Sequence, residues 1–334
     1  MSISFSTLLH LPKIELHVHL DTSLSYQNVA ILDPTISEYA YQKDYVAPAK
    51  CQDLSHFLDF TEPALRLLQT AENLDKALRQ LIRELKADNV IYAEIRFAPL
   101  LHTRAGLLPD KVAEVVCNAV AAGSAETGVQ CRLIFCALRH FSQLESIATV
   151  QLAKGWQSKG VVGIDLAGDE VAYSLEHHIP AFQLAREWNL PATAHAGEAL
   201  GAESVIDVLD FLHPRRIGHG VRSMENPDLV NLLARNKIHL EICPGSNIQT
   251  GVFQTMKDHS VDRLYRAGVS LSINTDGRGL TATTLTQEYD TIRETFGWSN
   301  IEFLKTNRMA LKAAFCDLQT KNKLLGILES VYSI

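Results

Sequence analysis

The chain alternates short apolar runs with longer segments in which apolar residues recur every three or four positions. The short runs have the length of buried parallel strands, and the longer segments have helical periodicity. The predicted strands are 14–19, 90–97, 130–136, 161–166, 191–196, 216–218, 238–242 and 269–274. Eight strands, each followed by a helix, predict a closed parallel (β/α)8 barrel.

The segment between the first two predicted strands is much longer than a usual crossover. It runs from about residue 21 to residue 89, and residues 54–85 have helical periodicity. A long insertion after a strand is more often functional than structureless. We therefore predict a TIM barrel with a long helical insertion after strand one. Further helices are predicted at 109–127, 145–156, 179–188, 202–212, 226–236, 261–267, 284–295 and 301–315, before a C-terminal helix.

Composition limits the class of protein. No linker, low-complexity tract or short repeat divides the 334 residues, so we expect a single domain over residues 1–334. The net charge is −7 and no Lys/Arg-rich block occurs, so neither nucleic acid nor a membrane is an expected partner. No apolar run approaches the ~18 residues of a membrane span. With no signal peptide recognised, the cytoplasm is the expected location.

Polar residues gather where the predicted strands end. Side chains alternate along a strand, so His17 and His19 point to the same face. His195, His219 and Asp276 lie in or just after strands five, six and eight. The carboxyl ends of the strands of a (β/α)8 barrel converge on one mouth, where active sites lie. The sequence therefore predicts that these side chains share one site.

Four of these residues suit a metal ion. His17, His19, His195 and Asp276 offer three imidazoles and one carboxylate, which fit one Zn²⁺ per chain with a position left for water. Each of these residues taken alone is weaker evidence for a metal site. His195 could be an ordinary core histidine, and Asp276 could cap the helix that follows it.

Two residues suit proton transfer. Glu198 lies three residues after His195, where Gly197 lets the backbone turn sharply. A carboxyl there could carry a proton to a leaving heterocycle, or it could cap the next helix. His219 lies between two glycines and could orient water or stabilise developing charge.

The remaining candidates are less specific. Gly168 could offer its backbone N–H to a ligand, or it could belong to an ordinary turn after strand four. Phe57 and Phe60 could line an apolar pocket over a base, or they could be helix core. No G-x-G-x-x-G or Walker loop supports a nucleotide cofactor.

Five motifs, in order, resemble those of the adenosine/adenine deaminase family of the amidohydrolase superfamily. The motifs are PKIELHVHLD at 12–21, DLAGDE at 165–170, HAGE at 195–198, RIGHG at 216–220 and SINTD at 272–276. The resemblance spans about residues 10–320 and implies a Zn²⁺ site at the four ligands above. It also implies that Glu198 protonates purine N1 while activated water attacks C6, with help from His219. Gly168 would meet the ring, and Asp21 would hold the ribose 5′-hydroxyl.

The chain departs from the family pattern at two positions. The family usually has an Asp directly after the metal Asp, where it is thought to bind purine N7. Here that position is Gly277, followed by Arg278. The family's Gly after Asp21 is here Thr22. Arg278 or a water could supply the N7 contact, another carboxylate could reach in, or the ring could lack an N7 partner.

The expected function is zinc-dependent hydrolysis of adenosine or deoxyadenosine to inosine or deoxyinosine and ammonia, in purine metabolism. The expected partner is a small purine nucleoside, and the oligomeric state is left open. The alternative substrates are adenine, an N6-substituted adenine nucleotide and aminodeoxyfutalosine. A catalytically silent nucleoside-binding barrel is the other alternative, and the presence of Glu198 and His219 argues against it.

Overall fold

The computed structural model describes residues 4–332 and builds them around eight parallel strands. The strands are β1 (Lys13–His19), β2 (Val90–Phe97), β3 (Gln130–Leu138), β4 (Val161–Ala167), β5 (Thr193–Ala196), β6 (Arg216–His219), β7 (His239–Ile242) and β8 (Ser270–Ile273).

Sixteen α-helices lie within the same residues. They are α1 (Phe5–His10), α2 (Tyr26–Leu32), α3 (Glu38–Asp44), α4 (Leu54–Leu58), α5 (Glu62–Leu67), α6 (Ala71–Ala87), α7 (Pro109–Thr127), α8 (Gln143–Gly155), α9 (Ile179–Glu187), α10 (Ala202–Phe211), α11 (Pro227–Asn236), α12 (Pro244–Gln249), α13 (Val261–Arg266), α14 (Leu285–Phe296), α15 (Asn300–Ala313) and α16 (Leu318–Tyr332). None of these helices is both long and apolar enough to cross a membrane.

The strands form a ring from two four-stranded sheets. Strands β1 to β4 pair in sequence order, and so do β5 to β8. A single parallel bridge between Ile164 and Ala192 joins β4 to the start of β5, and another between Val18 and Asp276 joins β1 to the end of β8. The protein is therefore a (β/α)8 barrel, as the strand–helix alternation predicted. The second junction brings the residues after β1 against those after β8.

The long insertion after β1 is helical, but it is more divided than the periodicity indicated. The predicted helix over 54–85 is three helices, α4 to α6, and Thr70 caps the last of them through its side chain. Helices α2 and α3 were not predicted, because seven residues give too short a window for periodicity. Helix α12 was missed for the same reason, since it has six residues.

Candidate active site

Most of the predicted site residues line one cavity at the carboxyl ends of the strands. The cavity has a volume of about 260 Å³, close to the lower end of the ~300–1,000 Å³ range of small-molecule sites. Its lining includes His19, Asp21, Phe57, Gly168, His195, Glu198, His219 and Asp276. His17, Phe60 and Gly277 are not part of this lining. The size suits a small organic ligand.

Four of the polar side chains converge on one point. The Nε2 atom of His19 lies 3.2 Å from Nε2 of His17 and 3.3 Å from Nε2 of His195. The Oδ1 atom of Asp276 lies 3.2 Å from Nε2 of His17 and 3.3 Å from Nε2 of His19. Zn–N distances of about 2.0–2.1 Å give a tetrahedron an edge of about 3.3 Å. These four distances therefore match the spacing between ligands of a tetrahedral zinc ion.

The other ring nitrogens turn two of these histidines toward that point. Nδ1 of His17 donates to Glu241 Oε2 at 3.0 Å, and Nδ1 of His195 lies 3.2 Å from Asp165 Oδ1. Nδ1 of His195 also lies 3.1 Å from the carbonyl oxygen of Leu166, which can only accept. Each ring therefore uses Nδ1 as its hydrogen-bond donor and turns Nε2 toward the point of convergence. This arrangement is typical of metal-binding histidines.

A buried ion-pair network fixes the two supporting carboxylates. Arg96 donates to Asp165 at 3.0 Å and to Glu241 at 2.7 Å, and all three side chains are fully buried. Burial opposes ionisation of Glu241, but Arg96 and Arg216 keep its pKa well below the usual value. The roles of Glu241 and Arg96 were not predicted from the sequence. A charged residue inside a short apolar strand was the available signal.

Asp276 is held in an unusual conformation. Its backbone φ is +65°, and that of His219 is +61°. Such angles are uncommon for residues other than glycine and cluster at functional sites. The Ser246 hydroxyl donates to Asp276 Oδ2 at 2.7 Å. Burial opposes ionisation of this carboxyl, but His17 and the other histidines around it hold its pKa well below the usual value. Asp276 is thus an anion beside the converging histidines.

Glu198 has the opposite electrostatic environment. Its side chain is buried, and burial followed by the charges of Asp276 and Glu170 raises its pKa well above the usual value. A carboxyl that keeps its proton near neutral pH can act as a general acid. This environment favours the protonated form of Glu198, which is the form that the predicted role uses.

One carboxylate, that of Glu170, holds the backbone around Glu198. It accepts hydrogen bonds from the N–H groups of Gly197 at 2.7 Å, Glu198 at 3.1 Å, Ala199 at 2.7 Å and Leu200 at 2.9 Å, and also from the Ser204 hydroxyl. Glu170 thus fixes the turn on which Glu198 is carried. Glu170 lies within the motif DLAGDE, but the sequence alone did not indicate this role.

A chain of hydrogen bonds sets the proton position on His219. The N–H of Val261 donates to His259 Nδ1 at 3.0 Å, so the proton of His259 is on Nε2, which lies 3.3 Å from Asn247 Oδ1. The Asn247 amide group then faces Nδ1 of His219 at 3.1 Å and donates to it. His219 consequently carries its proton on Nε2, which lies 3.5 Å from Glu198 Oε2. Burial lowers the pKa of His219 well below the usual value, so the ring is a neutral donor.

The insertion supplies an apolar wall of the cavity. Leu54, Phe57 and Leu58 of α4 line the cavity, and Phe57 is buried. Phe60 packs against the outside of this wall and contacts the ring of His56, with 5.7 Å between ring centroids. The structure therefore separates the two phenylalanines, which the sequence analysis grouped together.

Gly168 and Asp21 lie at the cavity with different surroundings. Gly168 has a φ of +98°, in the left-handed region that favours glycine. The Asp21 carboxyl is buried, which raises its pKa to about 6. Its Oδ2 atom lies 4.0 Å from Nε2 of the buried His102.

Gly277 and Arg278 do not supply a charged contact to this cavity. Arg278 is buried away from it, 3.4 Å from Glu15 Oε2 and 3.1 Å from Asp88 Oδ2. Gly277 packs closely against Thr22, which does line the cavity. Of the explanations considered for the N7 position, the one that uses Arg278 is therefore not supported.

Known proteins resemble this chain over nearly its full length. A family model described as adenosine deaminase matches residues 12–331. An adenosine deaminase from Enterococcus faecalis is 35% identical over 331 residues, which cover 96% of this chain and 97% of the relative. An adenine deaminase from Rhizobium leguminosarum bv. trifolii is 36% identical over 322 residues, which cover 95% and 99%.

A solved structure of another deaminase has the same fold over nearly the whole chain. The crystal structure of an Arabidopsis N6-mAMP deaminase superposes on this chain with a TM-score of 0.87 and 27% sequence identity. The superposition covers 97% of this chain and 99% of the Arabidopsis chain. Family model, relatives and fold agree over almost every residue, so the chain belongs to the adenosine deaminase family and is a hydrolytic deaminase.

Proposed function

We propose that this protein hydrolyses adenosine and deoxyadenosine to inosine and deoxyinosine, releasing ammonia. The observation that carries the proposal is the pairing of two features in one small cavity. Three imidazole nitrogens and an ionised carboxylate converge with spacings of 3.2–3.3 Å. Beside them lies Glu198, whose pKa is raised well above the usual value because it is buried.

The metal in this proposal is one Zn²⁺ per chain, held by His17, His19, His195 and Asp276. A ring nitrogen of His219 also lies within 4.8 Å of the donor atoms of His17, His195 and Asp276. His19 is preferred as the ligand because its Nε2 lies 3.2 Å from that of His17 and 3.3 Å from that of His195, whereas Nε2 of His219 carries a proton. When bound, a zinc ion supplies a water nucleophile at neutral pH by lowering the pKa of that water.

The residues of the chain then move protons. Glu198 donates its proton to ring nitrogen N1, which makes C6 more electrophilic for the attacking water. His219 donates a hydrogen bond from Nε2 and stabilises the charge that develops on the attacking oxygen. The Glu198 carboxylate then takes the two protons that the attacking water loses. It passes one to the amino group, which leaves as ammonia, and keeps the other, while the product holds the 6-oxo group and the proton on N1. The balance is one water consumed and one ammonia released for each adenosine.

The charges around the cavity favour an uncharged nucleoside over a nucleotide. Within residues 4–332, Arg104 supplies the guanidinium that lines the cavity, and it is already paired with both oxygens of Glu62 at 2.9 and 3.0 Å. Asp21 and Asp169 add carboxylates to the lining. A substrate phosphate would have to compete with Glu62 for Arg104 and would face these carboxylates, which is unfavourable.

The nucleoside is favoured over free adenine because of Asp21. A buried carboxyl with its pKa raised to about 6 needs a polar partner in the complex, and a ribose hydroxyl is such a partner. Adenine offers no hydroxyl. Since the Rhizobium relative is named an adenine deaminase, adenine is the second substrate to test.

A substrate panel with a matched variant tests the proposal. Zinc-loaded protein is assayed with adenosine, deoxyadenosine, adenine, N6-methyl-AMP and aminodeoxyfutalosine, and ammonia release gives kcat/KM. We expect the two nucleosides to exceed the other compounds by at least about tenfold. Glu198→Gln serves as the control for contaminating deaminase. A higher kcat/KM for adenine or a nucleotide would make that compound the substrate in place of adenosine. If no compound released ammonia, the catalytically silent nucleoside-binding barrel would be favoured.

A further inference from the structure

The two positions at which the sequence departs from the family pattern touch each other. Thr22 follows β1, Gly277 follows β8, and the junction between these strands brings them together. A Cβ atom placed on Gly277 would lie 2.6 Å from Thr22 Oγ1 and 2.8 Å from Thr22 Cβ. Gly277 does not have a left-handed φ, so the side chain of Thr22 is the main obstacle to a larger residue. In the family pattern, position 277 carries a side chain and position 22 is glycine. Here position 22 carries the side chain and position 277 is glycine, so the two departures are a reciprocal exchange between neighbouring positions.

The position of Thr22 is well fixed. Its carbonyl oxygen accepts hydrogen bonds from the N–H groups of Gly279 and Leu280, both at 3.0 Å. The hydroxyl lies in the space beside Gly277, is screened from solvent and has no hydrogen-bond partner among the described residues. Buried hydroxyls are nearly always hydrogen-bonded, so one without a partner needs an explanation. Since Thr22 also lines the cavity, a bound ligand can supply the missing partner.

We propose that the Thr22 hydroxyl is the hydrogen-bond donor to purine N7 in this protein, in place of the family's aspartate. The proposal rests on the proposed function, because it requires a purine in the cavity. The hydroxyl turns from Gly277 toward the ring by rotation about Cα–Cβ, between staggered positions about 120° apart. Purine N7 offers a lone pair and needs a donor, and a hydroxyl donates without first having to gain a proton.

The neighbouring groups do not offer the same contact. Arg278 is engaged by Glu15 and Asp88. Asp169 lines the cavity, but its Oδ1 already accepts from the N–H groups of Val171 and Ala172. Thr22 is thus the lining residue beside Gly277 that combines a donor with the lack of another partner.

The direct test combines substitutions of Thr22 with removal of N7 from the substrate. Thr22→Val keeps the side-chain shape without the hydroxyl, and Thr22→Ser is the control that keeps the hydroxyl. For the native protein, kcat/KM should fall by about two- to tenfold from adenosine to 7-deazaadenosine, the range of one hydrogen bond. In Thr22→Val this ratio should approach one, while Thr22→Ser should keep it. An unchanged ratio in Thr22→Val overturns the proposal.

Binding separates failure of this proposal from failure of the proposed function. Purine riboside and its 7-deaza analogue have no 6-amino group to lose, so calorimetry measures their affinity whichever substrate is deaminated. If Thr22→Val loses the preference for purine riboside over its 7-deaza analogue, the contact is supported even when adenosine is not deaminated. Equal binding of both ribosides by the native protein overturns the contact with N7, whereas binding of neither overturns the proposed function and the contact with it.

A second pair of variants tests the exchange itself by thermal unfolding. Gly277→Asp alone should lower the melting temperature, because its Cβ would collide with Thr22. Adding Thr22→Gly to Gly277→Asp should recover much of that loss and restore a preference for N7. If the double variant is less stable than Gly277→Asp, or shows no preference for N7, the exchange is not reciprocal.

Discussion

Replacing Glu170 with glutamine should damage the site without touching a substrate atom. In the native protein, Oε1 accepts from Gly197 N–H and the Ser204 hydroxyl, and Oε2 accepts from three further N–H groups. The best placement of the glutamine puts its oxygen at the position of Oε2. Its NH2 group then faces Gly197 N–H and Ser204. The hydroxyl can turn and accept, but the N–H of Gly197 is left without an acceptor.

The expected loss of stability follows from the number of hydrogen bonds that are lost or weakened. One buried donor without an acceptor costs about 1–3 kcal/mol, and the three remaining bonds lose their charge assistance, at least about 1 kcal/mol together. Glu170→Gln should therefore lower the free energy of unfolding by about 2–4 kcal/mol. Because the turn carrying Glu198 loses its anchor, kcat should also fall, by about 10–100-fold.

Urea unfolding and steady-state kinetics measure the two effects. Ser204→Ala is the matched control, since it removes one bond to the same carboxylate and leaves the four N–H bonds in place. It should cost less than about 1.5 kcal/mol and leave kcat within a few-fold. Native stability and native kcat in Glu170→Gln would refute the reasoning about the anchor.

Three further predictions concern the metal, the proton on His219 and the pH dependence of stability. Asp276→Ala should bind much less zinc than Asp169→Ala in metal analysis, and equal zinc contents would contradict the ligand assignment. Asn247→Asp should lower kcat by about 10²-fold at unchanged zinc content, because an accepting oxygen moves the proton of His219 to Nδ1; native kcat would show that this proton does not matter. Burial raises the pKa of Glu288 to about 8, so the folded state keeps a proton that the unfolded state loses near pH 4.3. Stability from this residue thus falls as pH rises between about 4.3 and 8, by up to about 1.4 kcal/mol per pH unit. Glu288→Gln should flatten that slope in urea unfolding from pH 5 to 8, and parallel slopes would contradict the assignment.

Much of the barrel was accessible from sequence because its strands are buried on both faces. A run such as residues 90–97 is apolar enough to be recognised, and Gly128, with a φ of +81°, ends α7 where predicted. The placement of polar residues at strand ends then located the site. Short helices such as α12 were not predicted, because one or two turns are too short to show helical periodicity.

The supporting groups of the site could not be predicted, because they depend on contacts between distant segments. Glu241 meets His17 across 224 residues, and Asn247 meets His219 from the next strand end. The contact between Thr22 and Gly277 is of the same kind. Sequence identified both as departures, but only the junction of β1 with β8 shows that they touch.

The most direct test of the account is deamination of adenosine by the zinc-loaded protein, with Glu198→Gln measured in parallel. Ammonia and the ultraviolet change from adenosine to inosine are recorded together, and zinc content is measured for both proteins. We expect one ammonia per adenosine, and a kcat lower by about 10²–10⁴-fold in Glu198→Gln at equal zinc content. No turnover of adenosine by the zinc-loaded native protein, or full turnover by Glu198→Gln, would contradict the account.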